Sequence, residues 1–193
     1  VELIDLKREI LPGQDRDLVK PVEEDLAARG VRIRLGAAVA GVAPKKGSVL
    51  LADGCALKAE AVLVTGFRRP NLPAGLEAAG VEFTAQRVPI DGSFRTNVPH
   101  IYAIGDLNGL AGMAHAAIQQ GMLLPEALRG RPAPQSYPSL PRAIFTIPEI
   151  AGAGKQERDL EREGIPYERS SFPLPDTWRG ISRRLDDGFL KLL

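Results

Sequence analysis

The segment from Val1 to Leu35 combines a strand, a helix and a second strand, and this order restricts the chain to an α/β fold. Val1 to Asp5 (VELID) is short, mostly apolar and ends on a carboxylate, as a buried parallel strand often does. A helical pattern follows, and Gly30 stands where a left-handed residue would end it. Val31 to Leu35 (VRIRL) alternates apolar and charged residues, so a β-α-β unit is predicted.

The helix of this unit contains one unfavourable residue. Asp15 or Asp17 is expected to cap its N-terminus, because short acidic side chains accept hydrogen bonds from the first turn. Pro21 falls inside the helix, where it lacks a backbone N–H and should cause a kink unless the helix begins later. The apolar residues that define the helix lie four apart: Leu18, Val22 and Leu26.

Between Ala38 and Thr65 the apolar residues recur with a period near two. Breaks at Pro44 to Ser48 and at Asp53-Gly54 divide this segment, so we predict a small antiparallel meander. The meander should lead into a buried strand at Ala61 to Thr65 (AVLVT).

The rest of the chain is predicted as short elements separated by proline-rich connections. Proline clusters at positions 125, 132, 134, 138 and 141, which favours an extended connection between domains, and another boundary is placed near residue 70. The predicted elements are a helical turn at 76–79, strands at 81–83 and 101–104, a helix at 113–128, a strand at 142–147, a charged helix at 155–163 ended by Gly164, and strands at 167–172 and 188–193.

The composition favours a globular protein in a reducing compartment. Apolar residues make up 44% and charged residues 25% of the chain, and its formal net charge is +1, too small to gather nucleic acid or anionic lipid. The longest apolar stretches, 61–66 and 113–118, are far shorter than a membrane span. One cysteine, Cys55, permits no internal disulfide. We therefore expect a cytoplasmic protein without a nucleic-acid or membrane partner.

Two acids at strand ends are candidate binding residues. Asp5 could accept hydrogen bonds from the ribose hydroxyls of an adenosine and repel a 2′-phosphate, although many strands simply end in a solvated acid. Asp106 follows Gly105 at the exit of the predicted strand 101–104. It could accept a hydrogen bond from a sugar or ribityl hydroxyl.

The start of the helix after Asp106 is a second candidate, because its free N–H groups suit a phosphate or an electron-rich ring. His115 lies there, and its simpler interpretation is a polar residue hydrogen-bonded locally. His100 and His115 are the only histidines, and neither has an acid or thiol at ligand spacing, so no metal site is predicted. Cys55, in a hairpin, is interpreted as an ordinary strand thiol.

Four stretches, taken together and in order, resemble the FAD-dependent pyridine nucleotide-disulfide oxidoreductases, and most of all their dihydrolipoyl dehydrogenase branch. The similarity runs nearly end to end. The stretches are VLVTGFRRPN (62–71), TNVPHIYAIGD (96–106), AGMAHAAIQQG (111–121) and AIFTIPEIAGAG (143–154).

The resemblance implies partial Rossmann-like NAD- and FAD-binding domains followed by the start of an α+β interface domain. Residues 1–70 would be the latter part of the NAD domain. Residues 71–137 would be the returning segment of the FAD domain, and 138–193 the beginning of the interface, or dimerisation, domain.

The resemblance also implies site residues. Asp5, Val39 and Gly66 match positions that contact NAD, although Phe67 stands where the family usually has a glycine. Asp106 matches the acid that binds the ribityl chain of FAD. The helix start beneath the flavin ring is matched by Gly112, Met113, Ala114 and His115.

The activity implied is electron transfer between dihydrolipoamide, or a similar dithiol, and NAD through FAD. Mercuric reductase, glutathione reductase and soluble transhydrogenase types are alternatives, as is a noncatalytic binding or dimerisation module. A homodimer and association with a 2-oxoacid dehydrogenase complex are expected.

We expect the chain to be part of a longer protein and inactive alone, with no catalytic residue of its own. In the family, the redox cysteine pair and both glycine loops would precede Val1, and a His-Glu pair would follow Leu193.

Overall fold

The computed structural model describes residues 1–66, 69–131 and 139–193. The chain divides into two compact units: unit 1 comprises Val1–Leu63 and Pro141–Leu193, and unit 2 comprises Val64–Leu140. The strands are β1 (Glu2–Asp5), β2 (Arg32–Leu35), β3 (Val39–Ala43), β4 (Ser48–Leu51), β5 (Ala56–Lys58), β6 (Arg142–Ile144), β7 (Ile150–Gly152), β8 (Ser170–Pro173) and β9 (Phe189–Leu192). The helices are α1 (Arg16–Ala28), α2 (Ala114–Leu128), α3 (Glu157–Glu163) and α4 (Trp178–Arg183), with 3-10 turns at Pro44–Lys46, Gly105–Asn108 and Leu174–Asp176.

The predicted β-α-β unit is present at the start of unit 1. Strands β1 and β2 pair in parallel, with Asp5 opposite Leu35, and α1 connects them. Gly30 ends the connection with φ of +78°, a conformation that glycine adopts without steric cost. Pro21 lies inside α1, which begins at Arg16, so the helix does not start later to avoid the proline.

The core of unit 1 joins distant parts of the sequence. Val19 and Val22 on α1 are buried together with Ile10 and with Ile150 of β7. Burying a valine or isoleucine side chain contributes about 1.5–3 kcal/mol, so these contacts hold the two sequence segments of unit 1 together. Partly buried side chains pack around the cluster: Leu3, Leu11, Leu18, Leu26, Ile33, Leu35 and Ile144.

The predicted meander is also present, as an antiparallel sheet in the order β3-β4-β5 with an irregularity between Val39 and Gly41. The buried strand predicted at Ala61 to Thr65 is wrong: the described segment has no strand pairing, and Leu63 is 88% exposed. An extended segment becomes a strand only when a neighbour satisfies its N–H and C=O groups, and the described residues supply no such neighbour here.

The second half of unit 1 contains two antiparallel strand pairs, the hairpin β6-β7 and the pair β8-β9, whose connection includes α4. The predicted strand at 142–147 is shorter than expected, while the charged helix ends as predicted at Gly164, which has φ of +66°. Strand β7 and helix α4 were not predicted. Helix α4 begins at a residue with a good capping side chain, since Thr177 Oγ1 accepts a hydrogen bond from Gly180 N at 2.8 Å.

Outside α2, unit 2 consists mainly of irregular backbone that packs around two small apolar clusters. Val81, Val88 and Ala103 form one cluster, and Phe94 and Ala127 form another. The strands predicted at 81–83 and 101–104 are wrong, because in the described part of unit 2 the only pairing is an isolated bridge between Arg95 and Tyr102. The apolar pattern thus predicted burial correctly and strand geometry incorrectly.

The helix predicted at 113–128 is present as α2, one residue shorter and with Pro125 inside it. The prolines at 132, 134 and 138 lie outside the described residues, so the extended connection predicted there stays a prediction.

Candidate functional site

The turn that carries Asp106 is a tight 3-10 turn in unit 2. Gly105 begins it with φ of +71°, and Asp106 O accepts a hydrogen bond from Gly109 N at 3.2 Å. The Asp106 side chain is exposed. An ionised carboxylate in this position offers acceptors to hydroxyl groups of a bound molecule.

Two buried amides attach this turn to α2. Gln120 is fully buried, and its Oε1 accepts hydrogen bonds from Gly105 N at 2.6 Å and from Asn108 Nδ2 at 2.8 Å. Asn108 also donates to Ala103 O at 3.2 Å and accepts from Leu110 N at 3.0 Å. The turn is therefore fixed to the helix through side chains rather than through a sheet.

The residue before α2 supplies no side-chain cap. Met113 is this N-cap residue, with extended backbone, and its own side chain accepts no hydrogen bond from the first turn. The first N–H groups of an α-helix have no partner inside the helix, and the helix dipole places about half a positive charge there. Gly112, Ala114 and His115 are exposed, whereas Met113 is half-buried.

Asp5 lies where the sequence predicts, at the carboxyl end of β1 in unit 1. Its Oδ1 accepts a hydrogen bond from Lys7 N at 2.8 Å, which fixes the direction of the carboxylate. Asp5 O accepts from Ala37 N at 3.0 Å, so the segment leading to Val39 lies beside the strand end. Val39 begins β3 and is 50% exposed.

The remaining candidate for the NAD site, Gly66, belongs to unit 2, and a Cβ there would meet nothing within 4 Å. Phe67, where the sequence departs from the family pattern, lies outside the described residues. The structure thus brings Asp5 close to the segment of Val39 in unit 1, and the five flavin candidates into unit 2.

A cluster of charged groups in unit 1 was not predicted. The Lys191 ammonium donates to Asp15 Oδ2 at 2.7 Å, to Asp17 Oδ1 at 2.9 Å and to Glu157 Oε2 at 2.8 Å, and its side chain is 6% exposed. The three carboxylates are close enough together to hold a metal ion. One ammonium already donates to all three, and Arg169 pairs with Asp17 at 2.9 Å and with Glu157 at 3.7 Å, so two cations of the chain balance most of the charge of the three carboxylates.

The cluster shifts the acid–base equilibria of its members. Burial alone would raise the pKa of Asp15, but hydrogen bonds from Lys191 and from the backbone of Glu157 and Arg158 lower it below its usual value. Burial would lower the pKa of Lys191, and the hydrogen bonds to its three carboxylates raise it instead. The ionised forms of both groups are therefore favoured in the folded protein.

Sequence reasoning missed Gln120 and Lys191, and only the first left a signal. Gln120 shares the buried face of α2 with Ala116 and Ala127, so helical spacing marks it as a polar residue on an apolar face. Lys191 lies on β9, and its partners are 34 or more residues away in the sequence. No local pattern relates them.

A parallel β-α-β unit whose first strand ends in an acid, and an acid-bearing turn attached to the helix α2, define an α/β protein of the nucleotide-binding class. The family model described as pyridine nucleotide-disulphide oxidoreductase matches residues 1–121. The chain belongs to that family. The fold class and the family inferred from the sequence are thereby confirmed.

Curated relatives of the chain carry the name dihydrolipoyl dehydrogenase. The Bacillus subtilis protein is 36% identical over 193 residues, which cover 96% of this chain and 41% of that protein. The mitochondrial protein of Canis lupus familiaris is 34% identical over 94% of this chain and 38% of its own length. The chain thus spans well under half the length of the relatives it matches.

Solved structures show the same fold. LpdA from Mycobacterium tuberculosis has a TM-score of 0.86 at 28% identity, covering 99% of this chain and 43% of that one. RclA, an HOCl-induced flavoprotein disulfide reductase from Escherichia coli, has a TM-score of 0.83 at 21% identity, covering 99% and 45%. The second likeness supports the fold alone.

No helix within the described residues combines the length and the apolar character that crossing a bilayer requires.

Proposed function

We propose that the protein containing this chain transfers electrons between dihydrolipoamide, or a similar dithiol, and NAD through FAD. The observation that carries the proposal is the Asp106 turn, which buried amides attach to the helix α2. The names of the relatives supply the substrate class. FAD, when bound, supplies the redox chemistry that links a nicotinamide to a dithiol.

The residues of unit 2 fit a flavin. We assign Asp106 to the ribityl chain, because its exposed carboxylate can accept hydrogen bonds from hydroxyl groups. We assign the start of α2 to the flavin ring, since negative charge on reduced flavin would be stabilised by N–H donors and the positive end of the helix dipole. The assigned residues of this start are Gly112, Met113, Ala114 and His115.

The residues of unit 1 fit the adenosine of NAD. Asp5 stands at the carboxyl end of a parallel strand, where dinucleotide-binding folds place the acid that binds ribose. Its carboxylate is oriented by Lys7 N, and it would repel a 2′-phosphate. We assign Val39 and Gly66 to the same cofactor on the family resemblance.

The redox relay itself is assigned to parts of the protein outside these 193 residues. A dithiol relay needs two thiols, and this chain has one cysteine, Cys55, which is exposed in the turn between β4 and β5. The acid–base pair is also assigned outside the chain, because the family resemblance implies a His-Glu pair that would follow Leu193. We therefore assign no catalytic residue to the chain and expect it to be inactive alone.

The test compares the full-length protein with the isolated 193-residue chain. The full-length protein should purify with FAD, seen by its visible absorption, and should oxidise NADH anaerobically when lipoamide is added. The isolated chain, mixed with FAD, NADH and lipoamide, should show no turnover. Turnover by the isolated chain that Cys55→Ser abolishes would place the redox centre inside the chain and overturn the proposal.

The same assay separates the alternatives. Faster turnover with Hg(II) or with glutathione disulfide than with lipoamide would assign the protein to another branch of the family. Faster electron transfer from NADH to NADP, with no disulfide substrate present, would do the same. A full-length protein that binds neither FAD nor NAD would instead support a noncatalytic binding or dimerisation role.

We further propose that the full-length protein is a cytoplasmic homodimer that can join a 2-oxoacid dehydrogenase complex. Support for a homodimer comes from exposed apolar side chains on the last elements of unit 1: Phe172, Trp178, Ile181, Leu190 and Leu192. Light scattering of the purified full-length protein would measure its mass, and a monomer would contradict this assignment.

A further inference from the structure

Gln120 combines complete burial with an incomplete set of hydrogen bonds. Its Oε1 accepts two hydrogen bonds, whereas its Nε2 is buried and has no partner among the residues that the structure describes. Rotating the amide by 180° would not help, because it would turn Nε2 towards the two donors Gly105 N and Asn108 Nδ2. A buried donor without a partner is unfavourable, so the position of Gln120 calls for a physical reason.

The reason lies in the turn that Gln120 holds. Gly105 has a left-handed backbone and packs so closely on α2 that a Cβ would lie 3.4 Å from Ala117 Cβ. One turn further along the helix, a Cβ on Gly121 would lie 3.9 Å from Ile104 Cδ1. The residues just before Asp106 are therefore packed against α2, and the Gln120 acceptor fixes their backbone to the helix.

We propose that Gln120 is a positioning residue for the flavin site: by accepting from Gly105 N and Asn108 Nδ2, it fixes Asp106 relative to the start of α2. This inference rests on the proposed function, because it concerns how one bound flavin contacts both Asp106 and the start of α2. Asp106 lies between the two residues that Gln120 holds, Gly105 and Asn108, and the start of α2 is less than two turns before Gln120 on the same helix. A shift of the turn therefore changes the spacing that the flavin spans. Gln120 itself needs no contact with the flavin.

The test uses the full-length protein and three variants. Gln120→Leu keeps the approximate shape but removes the acceptor, and Gln120→Glu keeps acceptor oxygens while removing the unpartnered Nε2. Gln119→Leu is the matched control, because Gln119 is the neighbouring glutamine on the same helix and is exposed. The measurements are the Kd for FAD, the absorption spectrum and midpoint potential of the bound flavin, and the melting temperature of the flavin-free protein.

We expect Gln120→Leu to raise the Kd for FAD about tenfold or more and to change the spectrum and potential of the flavin that still binds. Gln120→Glu and Gln119→Leu should stay close to the wild type in all three flavin measurements. A loss of fold stability alone would lower the melting temperature without changing the potential of the bound flavin.

The inference is overturned if Gln120→Leu binds FAD with unchanged affinity and spectrum, or if Gln120→Glu is weakened as much as Gln120→Leu. Should Gln120→Leu not fold, Gln120→Glu decides: wild-type flavin properties support the inference, and a tenfold weaker Kd overturns it. A wild-type protein that binds no FAD at all would reject the proposed function.

Discussion

Asp15 and Gln156 join the starts of α1 and α3 although they lie 141 residues apart in the sequence. Gln156 Oε1 accepts a hydrogen bond from Asp15 N at 3.1 Å, at the start of α1. Asp15 Oδ2 in turn accepts from Glu157 N at 3.1 Å, at the start of α3. Arg158 N also donates to Asp15 Oδ1 at 3.3 Å, so the Asp15 side chain caps α3. It does not cap α1, of which Asp15 is the N-cap residue. The Lys191 ammonium donates to the same Asp15 carboxylate.

Replacing Lys191 should destabilise unit 1 strongly. Lys191→Met removes the ammonium and leaves the Asp15 carboxylate, 4% exposed, without its cation. Removing one partner of a buried ion pair lowers the free energy of unfolding by about 3–5 kcal/mol, measurable by urea unfolding. Lys20→Met is the control, because the Lys20 side chain is 65% exposed, and it should leave the unfolding midpoint nearly unchanged. Equal effects of the two variants would contradict the role of Lys191.

The stability of unit 1 should fall at both ends of the pH range. The pKa of Asp15 is lowered in the folded state, so its contribution is present above the unfolded value of 3.8 and is lost as pH falls through the folded value. The pKa of Lys191 is raised, so its contribution is present below 10.5 and is lost as pH rises through the folded value. Urea midpoints measured from pH 2 to pH 11 test both limbs. In Lys191→Met the acid limb should become shallower and the alkaline limb should lose the contribution of this group.

Gly180 should not tolerate a side chain. A Cβ at Gly180 would overlap the carbonyl oxygen of Leu174 and lie 2.9 Å from Pro175 Cα, so the backbone of the preceding turn would have to move. Gly180→Ala should lower the free energy of unfolding by about 1–3 kcal/mol. Gly41→Ala is the control, since a Cβ there meets nothing within 4 Å; a melting temperature that falls equally in both variants would refute the explanation.

The full-length protein should prefer NAD to NADP, because Asp5 would face the 2′-phosphate. Lys7 and Arg8 are exposed close by, so the preference should be modest, and Asp5→Ser should reduce or reverse it. Steady-state kinetics with both cofactors give the ratio of kcat/KM values. Glu24→Gln, an exposed acid elsewhere on unit 1, should leave that ratio unchanged. A wild-type protein with the higher kcat/KM for NADP would rule out the assignment of Asp5.

Asp106→Ala should weaken the retention of FAD by the full-length protein. It removes a charge-assisted hydrogen bond of about 1.5–3 kcal/mol, which corresponds to a roughly 10- to 100-fold higher Kd. Flavin loss during gel filtration and titration with FAD measure the effect. Glu82→Ala removes another exposed acid of unit 2 and should retain FAD normally. If Asp106→Ala retains FAD equally well, Asp106 is a residue of the turn and does not bind FAD.

What the sequence predicted correctly depends on residues close together in the chain. The β-α-β unit was predicted from three local features: the spacing of Val22 and its neighbours, Gly30 after the helix, and the alternation before Leu35. All three lie within the unit itself, so the local pattern was sufficient to predict it. The segment at Ala61 to Thr65 has a strand composition, but a strand also needs a partner, which no local pattern supplies. The apolar pattern likewise predicted that the segment of Ala103 is buried, but it did not predict the irregular backbone of that segment.

The candidate sites follow the same division. Asp106 and the helix start near His115 lie within one short stretch that a family pattern can match. The hydrogen bond from Asp15 N to Gln156 Oε1 depends on a tertiary contact across most of the chain, and no local pattern indicates it.

The division of unit 1 into two sequence segments has a consequence for synthesis on the ribosome. The segment Val1–Leu63 emerges first, but Ile150 of its core and Gln156, which binds the backbone of Asp15, follow only after all of Val64–Leu140. At roughly 5–20 residues per second, the nascent chain exposes Val19 and Val22 for on the order of ten seconds. During that interval the unfinished apolar face of α1 is a surface for chaperones or for unproductive association, whereas unit 2, which is continuous in sequence, can fold as it emerges.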